Sequence, residues 1–292
     1  MEFKGSIVAI VTPFRRGTID TAALEKLVKW HVSEGTHGIV VNGTTGEAPT
    51  LSHEEQEINI RTTLKAADGN IPVIAGVGSN NTSKTIDAAV RAEKLGVNGI
   101  LVVVPYYNKP VQEGLFQHFS AVAKSVKIPL IVYNVPGRTS ASISVETIAR
   151  LTKFKNISAI KDATGDMKYA QELSVKLGSR ISILSGDDII NLPLASIGSC
   201  GAISVVANVV PNKMSEMYNS FFNGDFKHAS DLHLEMLDLH KGLFVESNPI
   251  PVKAALNMMG KIGPEIRLPL TRLPEDKMTV LKEILKRHGA IK

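Results

Sequence analysis

Residues 99–108, GILVVVPYYN, carry the pattern that decides the fold: five consecutive apolar residues followed by a polar end. A run that is apolar at every position is typical of a strand with both faces buried, as in a parallel sheet. Seven further runs of this kind occur along the chain. The eight runs begin at Ser6, Gly38, Pro72, Gly99, Pro129, Ile157, Ile181 and Gly201. The sequence therefore predicts eight parallel strands.

Amphipathic segments separate these runs, and several open with a residue that favours a helix start. Asp20, Ser52, Asn81 and Asp166 stand at such positions, where a side-chain oxygen can accept from a free backbone N–H group. Eight strand–helix units predict an α/β fold, a (β/α)8 TIM barrel. A doubly wound open sheet is the alternative, but the segment after the first run, VTPFRRGTID, lacks the glycine-rich phosphate fingerprint usual there.

The last part of the chain has a different pattern. Beyond about residue 211 the sequence predicts helices only, over residues 212–222, 225–239, 249–259 and 275–287. We assign residues 1–224 to the barrel, as the catalytic domain, and residues 225–292 to a C-terminal helical domain. No low-complexity segment separates the two parts.

The composition argues against several classes of protein. With 43% hydrophobic and 21% charged residues among 292, the chain is that of a globular protein with a sizeable core. The net charge of +5 includes no block of five like charges, and the aromatic residues do not alternate with basic ones. Both points argue against a nucleic-acid partner. No apolar run approaches the roughly 18 residues of a membrane span, so no membrane partner is expected.

Cys200 is the only cysteine. An intrachain disulfide is therefore excluded, as is a zinc site built on two or more thiolates. A lone cysteine favours a reducing compartment, and we expect a cytoplasmic protein. The apolar run IVAIV near the start of the sequence reads as a buried strand rather than as part of a signal peptide.

In a (β/α)8 barrel the chemistry lies at the carboxyl ends of the strands, and one strand here ends with a lysine. Lys161 alternates in phase with Ile157 and Ala159. If that phase faces the barrel interior, desolvation favours the neutral amine, which can attack a ketone. A lysine that simply extends to water fits the same pattern. The residue pattern alone leaves both interpretations open.

Other strand ends carry further candidates. Tyr133 is either a buried tyrosine with a hydrogen-bond partner or, together with hydroxyls such as those of Thr44 and Tyr107, part of a proton relay. Arg138 follows a Pro-Gly pair in a predicted loop. It either faces solvent or offers its two-pronged fork to a substrate carboxylate.

The acidic and histidine residues do not suggest a metal site. Asp187 and Asp188 are adjacent, so in a strand their side chains point to opposite faces and chelate poorly. We expect a structural role there, such as capping the next helix. The eight histidines show no ligand spacing, and His53 lies at the start of a helix.

Three segments together resemble the dihydrodipicolinate synthase family, whose members are pyruvate-dependent lyases of the class I aldolase type. The segments are GTTGEAPTLSHEE from Gly43, YNVPGRT from Tyr133 and IKDATGD from Ile160. The resemblance extends over nearly the whole chain. The tyrosine stretch and the lysine are shared with a wider superfamily, whereas the Thr44-Thr45 pair, Tyr107 and Arg138 make the resemblance more specific.

The resemblance implies condensation of pyruvate with L-aspartate 4-semialdehyde to give 4-hydroxy-tetrahydrodipicolinate, in the diaminopimelate route to lysine. It implies that Lys161 forms an imine with the C2 carbonyl of pyruvate. Thr45, Gly186 and the backbone of Ile203 would bind the same substrate. No cofactor and no metal is implied, since the lysine itself acts as the electron sink.

The resemblance also implies a relay and an assembly. Thr44, Tyr107 and Tyr133 would move protons through hydroxyl groups, and Arg138 would orient the relay and bind the carboxylate of aspartate semialdehyde. Tyr107 would cross a dimer interface to complete the neighbouring subunit's relay. We therefore expect a homodimer, or a homotetramer made from two such dimers.

Two other functions stay open. One is a related lyase that cleaves a keto-sugar acid; relatives of that kind generally lack an arginine at the position of Arg138. The other is a non-catalytic relative that binds a keto acid as a sensor. Retention of Lys161, Tyr133, Thr44 and Tyr107 argues against a sensor.

Regulation is where this sequence departs from the family pattern. Many relatives bind the product lysine at the dimer interface, and sensitive members have a glutamate where Lys84 stands and commonly a histidine where Gln56 stands. The residues of that site kept here are Asn80, Tyr106 and His53, whereas Lys84, Gln56 and Pro49 differ. A like charge at position 84 predicts loss of lysine inhibition.

Overall fold

All eight apolar runs form parallel strands, and these strands close into a barrel. The computed structural model describes residues 3–292. The strands in chain order are β1 (Gly5–Ala9), β2 (Phe14–Arg15), β3 (Thr18–Ile19), β4 (Gly38–Val41), β5 (Val73–Gly76), β6 (Gly99–Val103), β7 (Leu130–Asn134), β8 (Ile157–Asp162), β9 (Ser182–Ser185) and β10 (Gly201–Ser204). Strands β2 and β3 form a separate antiparallel hairpin, and the other eight make the barrel in the order β1-β10-β9-β8-β7-β6-β5-β4. The predicted (β/α)8 barrel is confirmed.

Helices follow the strands and continue to the C-terminus. They are α1 (Thr21–Ser33), α2 (His53–Ala67), α3 (Thr82–Leu95), α4 (Gln112–Ser125), α5 (Pro136–Thr139), α6 (Val145–Leu151), α7 (Met167–Leu177), α8 (Asn191–Ser196), α9 (Pro211–Phe222), α10 (Phe226–Glu235), α11 (Leu237–Gly242), α12 (Ile250–Met258) and α13 (Glu275–Arg287). Short 3-10 turns cover Ala48–Thr50, Asp188–Ile190 and Val206–Asn208.

The four predicted helix starts are confirmed. The side chains of Asp20, Ser52, Asn81 and Asp166 each accept a hydrogen bond from a backbone N–H in the first turn of the following helix. At Ser52 the bond is reciprocated, because the Glu55 carboxylate accepts from the Ser52 backbone N–H. Each such cap contributes about 1 kcal/mol, so these short polar residues fix where the barrel helices begin.

Packing divides the described chain into two compact units, and the first contains residues 3–5 and 73–203. Within it β5 to β9 pair side by side in parallel register. Ile131 and Val132 are neighbours in β7, and neither is exposed. Since neighbouring residues in a strand point to opposite faces, this strand is buried on both faces, as its continuous apolar run predicts.

The second unit contains residues 6–72 and 204–292. Its C-terminal helices correspond to the predicted segments with one correction. The predicted helix over residues 225–239 is two helices, α10 and α11, which meet at Met236. No glycine or proline marks that break. The proposed domain boundary at residue 224 stays a prediction.

Between residues 3 and 292 no helix is both long enough and apolar enough to cross a membrane.

Acid is expected to destabilise the fold through His31 in α1. This imidazole is fully buried and shares a 3.0 Å hydrogen bond with Thr36. Burial lowers the pKa of His31 to about 3, and the nearby positive charge of Lys261 contributes. The pKa of this histidine in the unfolded chain is about 6.5. Below that pH the unfolded chain binds a proton that the folded chain does not, so the free energy of unfolding decreases as the pH is lowered. Between about pH 7.5 and pH 5 this histidine alone should remove roughly 2 kcal/mol from the free energy of unfolding.

Urea unfolding of the parent and of His31→Gln at both pH values measures this contribution. The variant should lose that part of the pH dependence, whatever its stability at the higher pH. His53→Gln serves as the control, because His53 is exposed. An equal pH dependence in the parent and in His31→Gln would assign the acid sensitivity to other groups.

Candidate active site

A lysine and a tyrosine meet at the carboxyl ends of two neighbouring strands. Tyr133 in β7 and Lys161 in β8 are register partners. Their exposed fractions are only 7% and 6%, and the Lys161 Nζ lies 4.3 Å from the centroid of the Tyr133 ring. The amine is therefore held against an aromatic face and shielded from water, and it does not extend to solvent.

The residue that directly follows β9 lies against the Lys161 stem and has to be glycine. The backbone N–H of Gly186 donates to the carbonyl oxygen of Asp162 at 2.7 Å. A Cβ at position 186 would lie 2.8 Å from Lys161 Cε and 2.7 Å from Ala163 Cβ. Carbon atoms in ordinary contact are about 3.5–4.0 Å apart, so any larger residue would push the lysine stem aside.

We expect Gly186→Ala to lower the rate of any reaction at the Lys161 amine by about 100-fold, because displacing a reacting group by about 1 Å can cost that much. The measurement is the rate of reductive trapping of Lys161 by pyruvate and borohydride. Gly263→Ala is the matched control, since a Cβ there would make an ordinary 3.4 Å contact with the Phe14 carbonyl. A parental rate in Gly186→Ala would show that the amine does not depend on this contact.

The next position of each of these strands carries a buried polar side chain that sequence reasoning missed. Asn134 and Asp162 are register partners, and both are fully buried. One oxygen of the Asp162 carboxylate accepts from the backbone N–H and the hydroxyl of Thr164, at 2.9 and 2.7 Å. Burial raises the pKa of Asp162. The Asn134 amide donates to the Ser142 hydroxyl at 3.1 Å, so both strand ends are held by side-chain hydrogen bonds.

Tyr107 has an exposed side chain and a strained backbone. Its side chain is 87% exposed, and its φ of 73° lies in the left-handed region. Such a conformation costs of order 1–3 kcal/mol for a residue other than glycine, and it persists only where the surroundings enforce it. Here Asn108 closes the turn, because its N–H donates to the Tyr106 carbonyl and its amide donates to the Asn80 carbonyl.

The other candidates of the first unit are placed as follows. Arg138 is exposed and lies in α5, a single helical turn, and not in a loop as the sequence predicted. The turn begins at Pro136, whose fixed φ suits the first position of a helix. Ile203 is buried in β10. Asp187 accepts from the N–H of Ile189 and caps the following 3-10 turn, as predicted.

In the second unit the two threonines lie on a tight loop after β4. Residues 43–47 are called the threonine loop here. The N–H of Gly46 donates to the Gly43 carbonyl, and the N–H of Glu47 donates to the Thr44 carbonyl, each at 3.1 Å. Thr44 is half-buried and Thr45 is buried. The Asn248 amide donates to the Thr45 hydroxyl at 3.0 Å, which fixes the direction of that hydroxyl.

Comparison with known proteins agrees with the class that the fold defines, a (β/α)8 barrel with a buried amine at one strand end. A family model described as "Dihydrodipicolinate synthetase family" matches residues 2–288. The chain belongs to this family. A 4-hydroxy-tetrahydrodipicolinate synthase from Thermodesulfovibrio yellowstonii is 53% identical over 290 residues, which cover 99% of this chain and 100% of that protein.

Solved structures give the same result. A dihydrodipicolinate synthase from Acinetobacter baumannii, described as chloride inhibited and complexed with pyruvate, is 48% identical, with a TM-score of 0.97 and 99% of each chain covered. The dihydrodipicolinate synthase from Aquifex aeolicus is 46% identical, also with a TM-score of 0.97 and 99% coverage of both chains. The likeness is therefore one of sequence and of backbone over the whole length.

Proposed function

We propose that this protein is a lyase that condenses pyruvate with L-aspartate 4-semialdehyde to give 4-hydroxy-tetrahydrodipicolinate, in the diaminopimelate route to lysine. The observation that carries the proposal is the buried Lys161 amine over the Tyr133 ring, in a chain that belongs to this family. A lysine amine held at a strand end, away from bulk water, can act as the nucleophile that forms an imine with a keto acid.

The proposed reaction begins at Lys161. The amine attacks the C2 carbonyl of pyruvate and a water molecule leaves, which gives an iminium. A methyl proton then passes to the relay, and the electron pair delocalises toward the iminium nitrogen as an enamine. The enamine carbon attacks the aldehyde carbon of the second substrate, whose oxygen takes up a proton. Finally the amino group of that substrate attacks C2, closes the ring and releases the lysine.

The remaining residues have proposed roles taken from the family. Thr45, Gly186 and the backbone of Ile203 bind pyruvate. The hydroxyls of Thr44, Tyr107 and Tyr133 transfer the protons, and hydroxyls at barrel strand ends suit general acid–base transfer. Arg138 orients the relay and binds the carboxylate of aspartate semialdehyde, as its planar fork suits a carboxylate. Arg138 is an exposed residue of α5.

We also propose a homodimer, or a homotetramer built from two dimers, in the cytoplasm. The exposed side chain of Tyr107, on a turn closed by Asn108, supports a role that a second subunit completes. Cys200 is the only cysteine and cannot form an intrachain disulfide, which supports a reducing compartment.

A coupled assay with pyruvate and aspartate semialdehyde tests the function. We expect turnover with this pair, and none with keto-sugar acids supplied as substrates for cleavage. Preferential cleavage of a keto-sugar acid would support the related lyase instead. Binding of pyruvate without a single turnover would support the keto-acid sensor.

Lysine is expected not to inhibit this protein at millimolar concentration. Lys84 is exposed in the first turn of α3, where it would place a like charge beside a cationic ligand. Losing one partner of a desolvated charge pair costs roughly 2–5 kcal/mol, or more than tenfold in affinity. We expect no half-inhibition below about 1 mM lysine, a concentration that corresponds to about −4 kcal/mol of binding.

The inhibition curve should be measured on the parent and on Lys84→Glu. The variant restores a carboxylate at this position, so it should respond to lysine at more than tenfold lower concentration than the parent does. Lys94→Glu makes the same charge change on an exposed residue in the last turn of the same helix and serves as control. Half-inhibition of the parent below about 1 mM would overturn the expectation.

A further inference from the structure

The last residue of the threonine loop, Glu47, combines a left-handed backbone conformation with a buried carboxylate. Glu47 has a φ of 54° in the left-handed region, which residues other than glycine rarely adopt. Its side chain is completely buried. A buried carboxylate is unfavourable unless it is paired and hydrogen-bonded, so the loop needs partners from elsewhere in the chain.

Those partners come from the C-terminal part of the chain. The Lys253 ammonium, on α12, forms a buried ion pair with one oxygen of Glu47. It also donates to the Thr12 carbonyl at 3.0 Å and lies 4.4 Å from the centroid of the Phe14 ring. The second oxygen of Glu47 accepts from the backbone N–H of Arg267 at 3.0 Å. Both carboxylate oxygens are thus bonded by groups from residues 253–267.

A further contact, from a residue just before α12, reaches the other side of the threonine loop. Asn248, five residues before Lys253, donates to the Thr45 hydroxyl. The Thr12 hydroxyl donates to the Gly46 carbonyl at 2.7 Å. Residues 248–253 therefore hold the loop at Thr45 and at Glu47, on either side of Gly46.

We propose that Lys253 and Glu47 are positioning residues: their buried pair sets the shape of the threonine loop and so places Thr44 and Thr45 for the reaction. This inference rests on the proposed function, which assigns Thr44 to proton transfer and Thr45 to pyruvate. Neither Lys253 nor Glu47 touches substrate. Each acts through the backbone of the loop that follows β4.

The test uses Lys253→Met, which removes the ammonium but keeps an unbranched side chain, and Glu47→Gln, which keeps the shape of the carboxylate. The measurements are kcat, the KM for pyruvate and the thermal denaturation midpoint. We expect both variants, assayed where they are folded, to lose about 100-fold in kcat/KM for pyruvate, as expected for misplaced binding groups. The double variant Glu47→Gln/Lys253→Met leaves no unpaired buried charge, so it should regain thermal stability without regaining kcat/KM.

Two further variants separate positioning from general stability. Lys213→Met breaks an ion pair with Glu235 at the surface and should leave the kinetic constants unchanged. Asn248→Ala removes the amide that contacts Thr45, so it should raise the KM for pyruvate while the denaturation midpoint stays close to that of the parent. If Lys253→Met does not fold, Glu47→Gln and Asn248→Ala decide the question.

The outcomes also separate this inference from the proposed function. A parent protein with no condensation activity and no trapped pyruvate would contradict the proposed function. An active parent, together with folded Glu47→Gln and Asn248→Ala variants of parental kcat and KM, would overturn the positioning role alone. A lowered denaturation midpoint with unchanged kinetic constants would likewise overturn it, because it would show that the pair only stabilises the fold.

Discussion

Pyruvate and borohydride together are expected to modify one residue of this protein, Lys161. Its amine is shielded from water at the end of β8 and lies over the Tyr133 ring. Reduction of the imine would leave a stable pyruvyl-derived group on the side chain. Lys161→Arg should not be trapped, and its condensation activity should fall by about 10⁴-fold or more, as expected when a covalent nucleophile is removed.

Intact and peptide mass spectra measure this outcome, and the chain supplies an internal control. Lys253 is also a buried lysine beside an aromatic ring. It is bound to Glu47 and to the Thr12 carbonyl, so it should remain unmodified. A label on Lys253 or on any other lysine, or no label at all, would contradict the assignment of the nucleophile.

The second large effect concerns Tyr107 and Tyr133. We expect Tyr107→Phe and Tyr133→Phe each to lower activity by about 10²–10⁴-fold, the range for loss of a group that transfers protons. Mixing the two variants should restore activity if Tyr107 serves the neighbouring subunit. In a hybrid dimer one site then has both hydroxyls, so random pairing recovers up to about a quarter of the parental activity.

The controls follow from the geometry of the site. Tyr133 and Lys161 lie together in one chain, 4.3 Å apart from amine to ring centroid, so mixing Tyr133→Phe with Lys161→Arg should restore nothing. Native mass spectrometry verifies that subunits have exchanged. If exchange is complete and the mixture of Tyr107→Phe with Tyr133→Phe stays inactive, the relay is not shared between chains.

Much of the fold could be predicted because its signals are local. A parallel barrel strand is buried on both faces, so its sequence is apolar at nearly every position, and all eight such runs were found. The helix starts at Asp20 and Ser52 were equally visible, because a cap depends on one side chain and the next few N–H groups. The phase of Lys161 with Ile157 and Ala159 was visible on the same principle, but it fitted a buried amine and a solvent-exposed amine equally well.

The features that the sequence did not predict depend on contacts between residues that are distant in the chain. The break at Met236 and the single helical turn around Arg138 have no strong local signal. Nothing in the sequence pairs Glu47 with Lys253. The available hints were an acidic residue after β4 and a lysine within the apolar stretch IPVKAAL. The pattern around Lys161 also left two interpretations open, and the structure shows its amine buried.

The threonine loop is bonded to residues 248–267, so during synthesis it can reach its final structure only after those residues have been made. Glu47 and Lys253 are 206 residues apart. At about 5–20 residues per second, a ribosome needs roughly 10–40 s to add that length. Until α12 emerges, the Glu47 carboxylate has no buried cation and is more stable in water. The nascent chain can form its first strands early, but the segment around residue 47 closes only after residue 253 has been made.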